Sequence, residues 1–253
     1  MSHSVKKEFI FGFHAITALL NSQPQTIYQL YRQEGRVDKR IQEILELAAY
    51  HHIPIQTLPK IKCDRWANGA AHQGVLAEIK ISTQLNERDL LTLLAPRIQN
   101  ETRPLFILVL DEVQDPHNLG ACLRSANAAG VDAVVIPQDR SVSMTPIVRK
   151  IAAGAAEITP LFTVTNLAST LEKLKRLGVW CYGLDQSATQ LIYDKELTGA
   201  LALVLGAEGK GLRRLTKERC DGLMAIPMAG SVSSLNVSVA AGICLFEAVR
   251  QRQ

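Results

Sequence analysis

Apolar residues are patterned in two different ways along this chain, and the change falls near residue 104. Residues 9–13 form an apolar run, after which Ala15, Ile16, Leu19 and Leu20 recur at helical spacing. Residues 27–31 are strand-like, and residues 37–50 read as an amphipathic helix with Ile41, Ile44, Leu45 and Ala48 on one face. Pro54 ends that helix, Ile53 and Ile55 suggest a short strand, and residues 75–81 alternate as a last strand. Residues 86–103 are polar and charged around a short Leu-rich helix at 90–94. From Pro104 onward, continuously apolar strands at 105–110, 133–136, 179–182, 201–205 and 223–226 alternate with helical patterns. Strands apolar on both faces and separated by helices predict a parallel sheet covered on each side. The expected organisation is α/β: a small unit over 1–82, a linker over 83–103 and a parallel-sheet domain over 104–253.

Composition narrows the class. The chain has 253 residues, 47% of them hydrophobic, enough to bury a substantial core. No apolar run approaches the roughly 18 residues that span a bilayer, and the first eight residues are polar, so a cytosolic protein with no membrane partner is expected. Cys63, Cys122, Cys181, Cys220 and Cys244 are scattered without a Cys-x-x-Cys pair, so reduced, buried thiols are expected, with no disulfide framework and no metal. The net charge of +4 permits a polyanionic partner without demanding one. Residues 1–80 hold ten Lys/Arg against seven Asp/Glu and five of the six histidines, while the rest is close to balanced. A basic module joined to a nearly neutral catalytic one and an ordinary solvated surface explain that bias equally well. Lys6, Lys7, Arg32, Arg36, Lys39 and Arg40 are candidate phosphate contacts.

Three polar segments sit at predicted strand ends, where parallel sheets bind ligands. In the first, from Asp111 to Arg124, Asn118 is expected to cap a helix and Gly120 to keep its first turn free of bulk. Leu119, Cys122, Leu123 and Ala126 form its core stripe, which turns Arg124 about 150° away and frees it to face a ligand. The second, from Leu201 to Leu212, is a buried strand running into glycines 206, 209 and 211 with Glu208 among them. It lacks the Lys-Ser/Thr of a phosphate loop, and by itself reads equally as a tight turn or a binding loop. The third gathers Ser231, Ser233, Ser234 and Asn236 at the start of a terminal helix, whose free N–H groups attract anions or simply need caps.

Taken in order, Asn118-x-Gly-x-x-x-Arg124, Gly206-x-Glu208-x-x-Gly-Leu212 and Ser234-Leu-Asn-Val-Ser-Val-Ala240 closely resemble the three motifs of the SPOUT-class (SpoU family) RNA ribose 2′-O-methyltransferases. The stretches from Gly12 to Leu20 and from His72 to Glu78 are similar to the added RNA-binding domain, itself like a ribosomal protein, of the branch that methylates guanosine in 23S rRNA. The resemblance implies a deep trefoil knot in the C-terminal domain, S-adenosylmethionine bent within it, a homodimer, and 23S rRNA or a ribosomal precursor as substrate. It implies further that backbone at Gly206, Ile226 and Leu235 contacts the cofactor, and that Arg124, Asn118, Glu208 and Asn236 form the catalytic set.

The implied reaction is an in-line attack of a ribose 2′-hydroxyl on a sulfonium methyl, which requires alignment and loss of the hydroxyl proton. The family assigns Arg124 to the nucleophile and the adjacent phosphate. A guanidinium normally keeps its proton, so Arg124 either serves as the base or stabilises the developing alkoxide while phosphate or water takes the proton. Transfer RNA or another rRNA ribose as substrate, and a non-catalytic RNA-binding or assembly factor on the same fold, are the competing readings. A generic nucleotide-binding protein is the weakest.

Overall fold

The computed structural model describes residues 8–36, 38–69, 71–80, 84–98 and 103–253, so Lys6, Lys7 and the end of the strand expected at 75–81 lie outside the described residues. Two compact units are present: one comprises the described residues up to Lys80 with Ala153–Ile158, the other Gln84–Ala152 with Thr159–Gln253.

The smaller unit contains β1 (Glu8–Phe11), α1 (Phe13–Ser22), β2 (Ile27–Gln33), α2 (Lys39–Tyr50), β3 (Ile55–Leu58), α3 (Lys60–Trp66) and β4 (Val75–Ile79). Its sheet runs β1-β4-β2-β3, antiparallel except for β2 with β3. The expected alternation in β4 is corrected here. Val75, Leu76 and Ala77 are all buried, because β4 is central and covered on both faces. Ile16, Leu20, Ile41 and Ile44 cover one face, and Tyr31, Leu58, Cys63 and Trp66 pack with Leu76 on the other. The two stretches that resemble the RNA-binding domain meet: the Phe13 N–H, at the start of α1, donates to Gln73 Oε1 at 2.9 Å. His72 is internal. Its Nδ1 accepts from the Gly74 N–H at 3.1 Å, which leaves its Nε2–H to donate to Asp64 at 2.9 Å.

The larger unit contains β5 (Leu85–Asn86), α4 (Glu87–Ile98), β6 (Phe106–Asp111), α5 (Pro116–Ala128), β7 (Ala133–Pro137), α6 (Pro146–Ala152), β8 (Leu161–Val164), α8 (Leu167–Arg176), β9 (Trp180–Leu184), β10 (Leu201–Gly206), α9 (Arg214–Arg219), β11 (Gly222–Met224) and α10 (Val237–Gln251); the short α7 (Ala155–Ile158) groups with the smaller unit. Its seven strands, in the order β11-β9-β10-β6-β7-β8-β5, pair only in parallel. Much of the segment expected as a linker belongs to this unit. Leu85–Asn86 pairs with β8, and Leu90 and Leu94 of α4 are fully buried in the main core. From β6 the chain proceeds through β7 and β8 toward one edge, then restarts on the other side of β6 with β9 and β10. The reversal therefore lies between β6 and β10, whose last residues, Asp111 and Gly206, are paired in register. Ligands of parallel sheets bind outside the carboxyl ends of strands at such a point.

All five cysteines are free thiols, and burial pushes those of Cys122, Cys220 and Cys244 up to about 12. They are neutral, inert packing groups. Among the described residues no helix is long and apolar enough to cross a membrane, and no cluster of side chains could hold a metal ion.

The foot of α10 is tied to the loop before β10. Arg252 donates to the carbonyls of Leu197 (2.9 Å) and Gly199 (2.7 Å) and stacks over Phe106, while Gln251 bonds Lys195 and Leu197. Bonds from Arg250 and Gln251 hold the Glu247 carboxyl down at about 2, against its usual 4.5. A depressed folded-state value means stability that is fully present above pH 4.5 and lost as pH falls toward 2. Glu247→Gln is therefore expected to flatten the acid limb of urea-unfolding stability between those values and to leave it unchanged in shape near neutrality.

Candidate active site

Helix α5 begins directly after β6, and its start differs from the sequence expectation. Asp115, not Asn118, is the N-cap: its carboxylate accepts from the His117 N–H at 2.9 Å, and Pro116 supplies the preset first helical residue. The Asn118 side chain is thus released from capping. Gly120 keeps the start of the helix free of bulk as expected, and the structure shows the neighbour that needs the space. A Cβ there would lie 2.7 Å from Ile151 Cβ and 2.9 Å from the Val148 carbonyl, so its absence lets α6 press onto α5. Arg124 is exposed, as the helical wheel predicts, and has no hydrogen-bonding or ionic partner among the described residues.

The loop after β10 folds back on its own strand. Ala207 and Gly211 form an antiparallel bridge, with the Gly211 N–H donating to the Ala207 carbonyl at 2.8 Å. Gly209 and Gly211 have φ of 76° and 67°, a backbone conformation that favours glycine. The loop is fastened by a pair that sequence reading missed. Asp111, fully buried at the end of β6, accepts from Arg213 at its backbone N–H (3.1 Å), Nε (2.7 Å) and Nη2 (2.6 Å). The tight turn is therefore present.

Asn236 joins the three segments. As the N-cap of α10 it accepts, through Oδ1, from the Ser238 N–H at 2.9 Å and hydroxyl at 2.6 Å. Its Nδ2 donates to Asn118 Oδ1 at 3.0 Å and to Glu208 Oε2 at 3.3 Å. Asn118, Glu208 and Asn236 are therefore in one hydrogen-bonded group, while Arg124 stands apart, six residues or about 9 Å further along α5. Asn236→Asp keeps the cap but places a carboxylate against Glu208. We expect unchanged helix content and melting temperature, with methyl transfer lowered by roughly tenfold or more through misplacement of the group.

Beside this group is a cleft of about 360 Å³, whose lining brings together all three residues expected at a cofactor: Gly206, Ile226 and Leu235. Its walls combine apolar side chains with Asp185, Ser187 and Lys217. Burial alone would raise the pKa of Asp185, but hydrogen bonds from Lys217 and Ser187 outweigh it and hold the carboxyl below its usual range. Sequence reading singled out neither: Asp185 directly follows β9, a strand end that offered a signal, whereas its partner Lys217 in α9 left none. Apolar side chains together with glycine backbone suit an adenine ring, and Asp185 and Glu208, which line the cleft with Lys210 and Lys217, offer carboxylates to the cationic groups of such a ligand. The set fits S-adenosylmethionine.

The model of the SpoU rRNA Methylase family matches residues 105–246, and that of the RNA 2′-O ribose methyltransferase substrate-binding domain matches residues 9–85. The 23S rRNA (guanosine-2′-O-)-methyltransferase RlmB of Pseudomonas putida is 54% identical over 97% of both chains, and that of Vibrio parahaemolyticus is 54% identical over 98% of both. The crystal structure of the SpoU methyltransferase AviRb from Streptomyces viridochromogenes, in complex with AdoMet, has the same fold at 21% identity, with a TM-score of 0.77 over 97% of this chain and 90% of that one. A solved RNA 2′-O ribose methyltransferase is 25% identical, with a TM-score of 0.75 over 98% of this chain and 90% of that one. The motifs, the parallel sheet that carries them and relatives matching from end to end lead to one assignment: the chain belongs to the SpoU rRNA methylase family.

Proposed function

We propose that this protein transfers a methyl group from S-adenosylmethionine to the ribose 2′-hydroxyl of a guanosine in 23S rRNA. The observation that carries the reading is the meeting of Asn118, Glu208 and Asn236 in one hydrogen-bonded group beside the cleft at the β6/β10 reversal. The identity of half the chain with relatives named for this reaction supports the substrate.

When bound, the cofactor supplies an electrophilic methyl on a sulfonium. The chain's own residues do the rest. Gly206, Ile226 and Leu235, with Asp185 and Lys217, line the cleft that would hold the cofactor. Asn236 uses both amide N–H groups on Asn118 and Glu208, which fixes their orientation and leaves the Asn118 amide nitrogen free to donate to substrate oxygen. Arg124, charged and unpartnered, meets the RNA at the reacting ribose and its phosphate. There it stabilises negative charge developing on the 2′-oxygen, and the proton passes to phosphate or solvent. The N-terminal unit, with Arg32, Arg36, Lys39 and Arg40 all exposed, holds the RNA by phosphate contacts.

The protein works in the cytoplasm as a homodimer in this reading. Val239 and Phe246, each 49% exposed on α10, offer an apolar face for a second copy. Incubation with labelled cofactor and 23S rRNA lacking the modification, followed by mapping of ribose methylation, tests the function: one methylated guanosine is expected. Absence of transfer to any rRNA ribose would overturn it. Binding of the RNA is expected to weaken steeply with salt, and a flat salt dependence in a filter assay would remove the phosphate-contact role of the N-terminal unit.

A further inference from the structure

We propose that a second cavity, adjoining the cofactor cleft, receives the target base, and that Asp115, with Gln114 beside it, selects guanine by accepting hydrogen bonds from its N1–H and N2 amino group. The inference rests on the guanosine methylation proposed above. The cavity, about 200 Å³, is lined by Glu112, Gln114, Asp115 and Asn118 and shares Glu208 and Lys210 with the cleft. A nucleoside with its 2′-hydroxyl beside Asn118 and Glu208 thus has this adjoining cavity within reach of its base.

The charges lining the cavity disfavour a phosphate. Three carboxylates, Glu112, Asp115 and Glu208, face one ammonium, Lys210, so a nucleic acid entering here presents an uncharged base rich in donors. Two of the carboxylates are already engaged: Glu112 faces Arg140 at 3.3 Å and Arg213 at 3.6 Å, and Glu208 accepts from Asn236. Asp115 is not saturated. Its Oδ1 holds the helix cap, while Oδ2 has no partner among the described residues, and neither has the exposed Gln114 side chain. Sequence-specific RNA recognition splays bases out and hydrogen-bonds them on their Watson–Crick and Hoogsteen edges. Guanine alone carries two adjacent donors there. Adenine and cytosine place an acceptor at the central ring nitrogen, and uracil has a single donor between two acceptors. A free carboxylate oxygen beside a free amide oxygen matches guanine and rejects the other three.

Asp115→Asn separates this function from the cap. Asparagine caps as well as aspartate, but its second atom is an NH₂ donor set against guanine's own donors. The variant is assayed beside the unaltered protein on an rRNA fragment carrying guanosine, or inosine, which lacks the N2 amino group, at the target position. Inosine is expected to lower kcat/KM of the unaltered protein by roughly tenfold or more. In Asp115→Asn the rate on guanosine falls by a similar factor and the guanosine/inosine ratio collapses toward one, with cofactor affinity by calorimetry and melting temperature unchanged. Full activity of the variant on guanosine, or a preserved ratio with both rates lowered together, would overturn the inference. Failure of the unaltered protein to methylate the guanosine fragment and intact rRNA alike would instead overturn the underlying function.

Discussion

Replacing Arg124 by alanine is expected to lower methyl transfer by roughly two to three orders of magnitude while leaving cofactor affinity and melting temperature unchanged. The expectation follows from what the side chain lacks. It is exposed, makes no hydrogen bond or ion pair among the described residues, and sits on the solvent side of a helix whose core face is Leu119, Cys122, Leu123 and Ala126. Truncating it removes no packing and frees no buried partner, so the folded state barely registers the change. The cofactor cleft is lined by other elements, so S-adenosylmethionine binding also persists. In the role proposed for Arg124, what disappears is a cation at the reacting oxygen, an interaction strongest in the transition state and therefore expressed in kcat. Lysine is not expected to restore the rate, since a single ammonium cannot bridge a ribose oxygen and a phosphate as a planar guanidinium does. Single-turnover measurements with saturating RNA and labelled cofactor make the check. A variant that retains its rate would remove Arg124 from the reaction.

The strands that carry the site were readable because parallel strands buried on both faces leave continuous apolar runs. The stretches at 105–110, 133–136, 179–182, 201–205 and 223–226 all correspond to strands of the larger sheet. Elements with few side chains to bury left no such trace. β5 is two residues long, β8 is four with Thr163 among them, and α3 shows only Cys63 and Trp66 as clear apolar anchors between charged residues. The segment at 83–103 reads as a linker because its charges dominate, yet Leu90 and Leu94 are enough to seal it onto the core.

The site shows the same division between local and distant information. The wheel placed Arg124 on the solvent face, a property of one helix. Sequence alone offers Asn118 as a cap because a polar residue near a helix start usually is one, but the adjoining Asp115-Pro116 pair satisfies that need better. Contacts between distant positions were not legible at all. Asn236 bonds Asn118 across 118 residues, and Arg213 holds Asp111 across 102, pairings that no periodicity encodes. The family motifs grouped Asn118, Glu208 and Asn236, and the structure adds the reason they occur together: one amide links two otherwise separate acceptors.

Gly206→Ala is the second substitution expected to have a large effect, and here the loss falls on cofactor binding. The added Cβ would lie 2.0 Å from the Gly211 carbonyl carbon, 2.2 Å from its oxygen and 2.3 Å from the Leu212 nitrogen. These are backbone atoms, held by the Ala207–Gly211 bridge on one side and by the Asp111–Arg213 pair on the other, so no side chain can rotate away to make room. Either the loop lifts off β10 or the strand end shifts. Overpacking of this kind costs about 1–3 kcal/mol, and more where backbone must move. Because the displaced segment lines the cleft, the energy is lost largely when the ligand binds, which converts to a roughly tenfold to hundredfold weaker Kd for S-adenosylmethionine. Gly209→Ala is the internal control. Its φ of 76° adds local strain, but a Cβ there meets nothing within 4 Å, so the loop can keep its path over Gly206. Calorimetric titration of the two variants should place Gly206→Ala far weaker than Gly209→Ala. Equal, near-normal affinities would mean that the close approach of the loop to Gly206 is not what shapes the cofactor site.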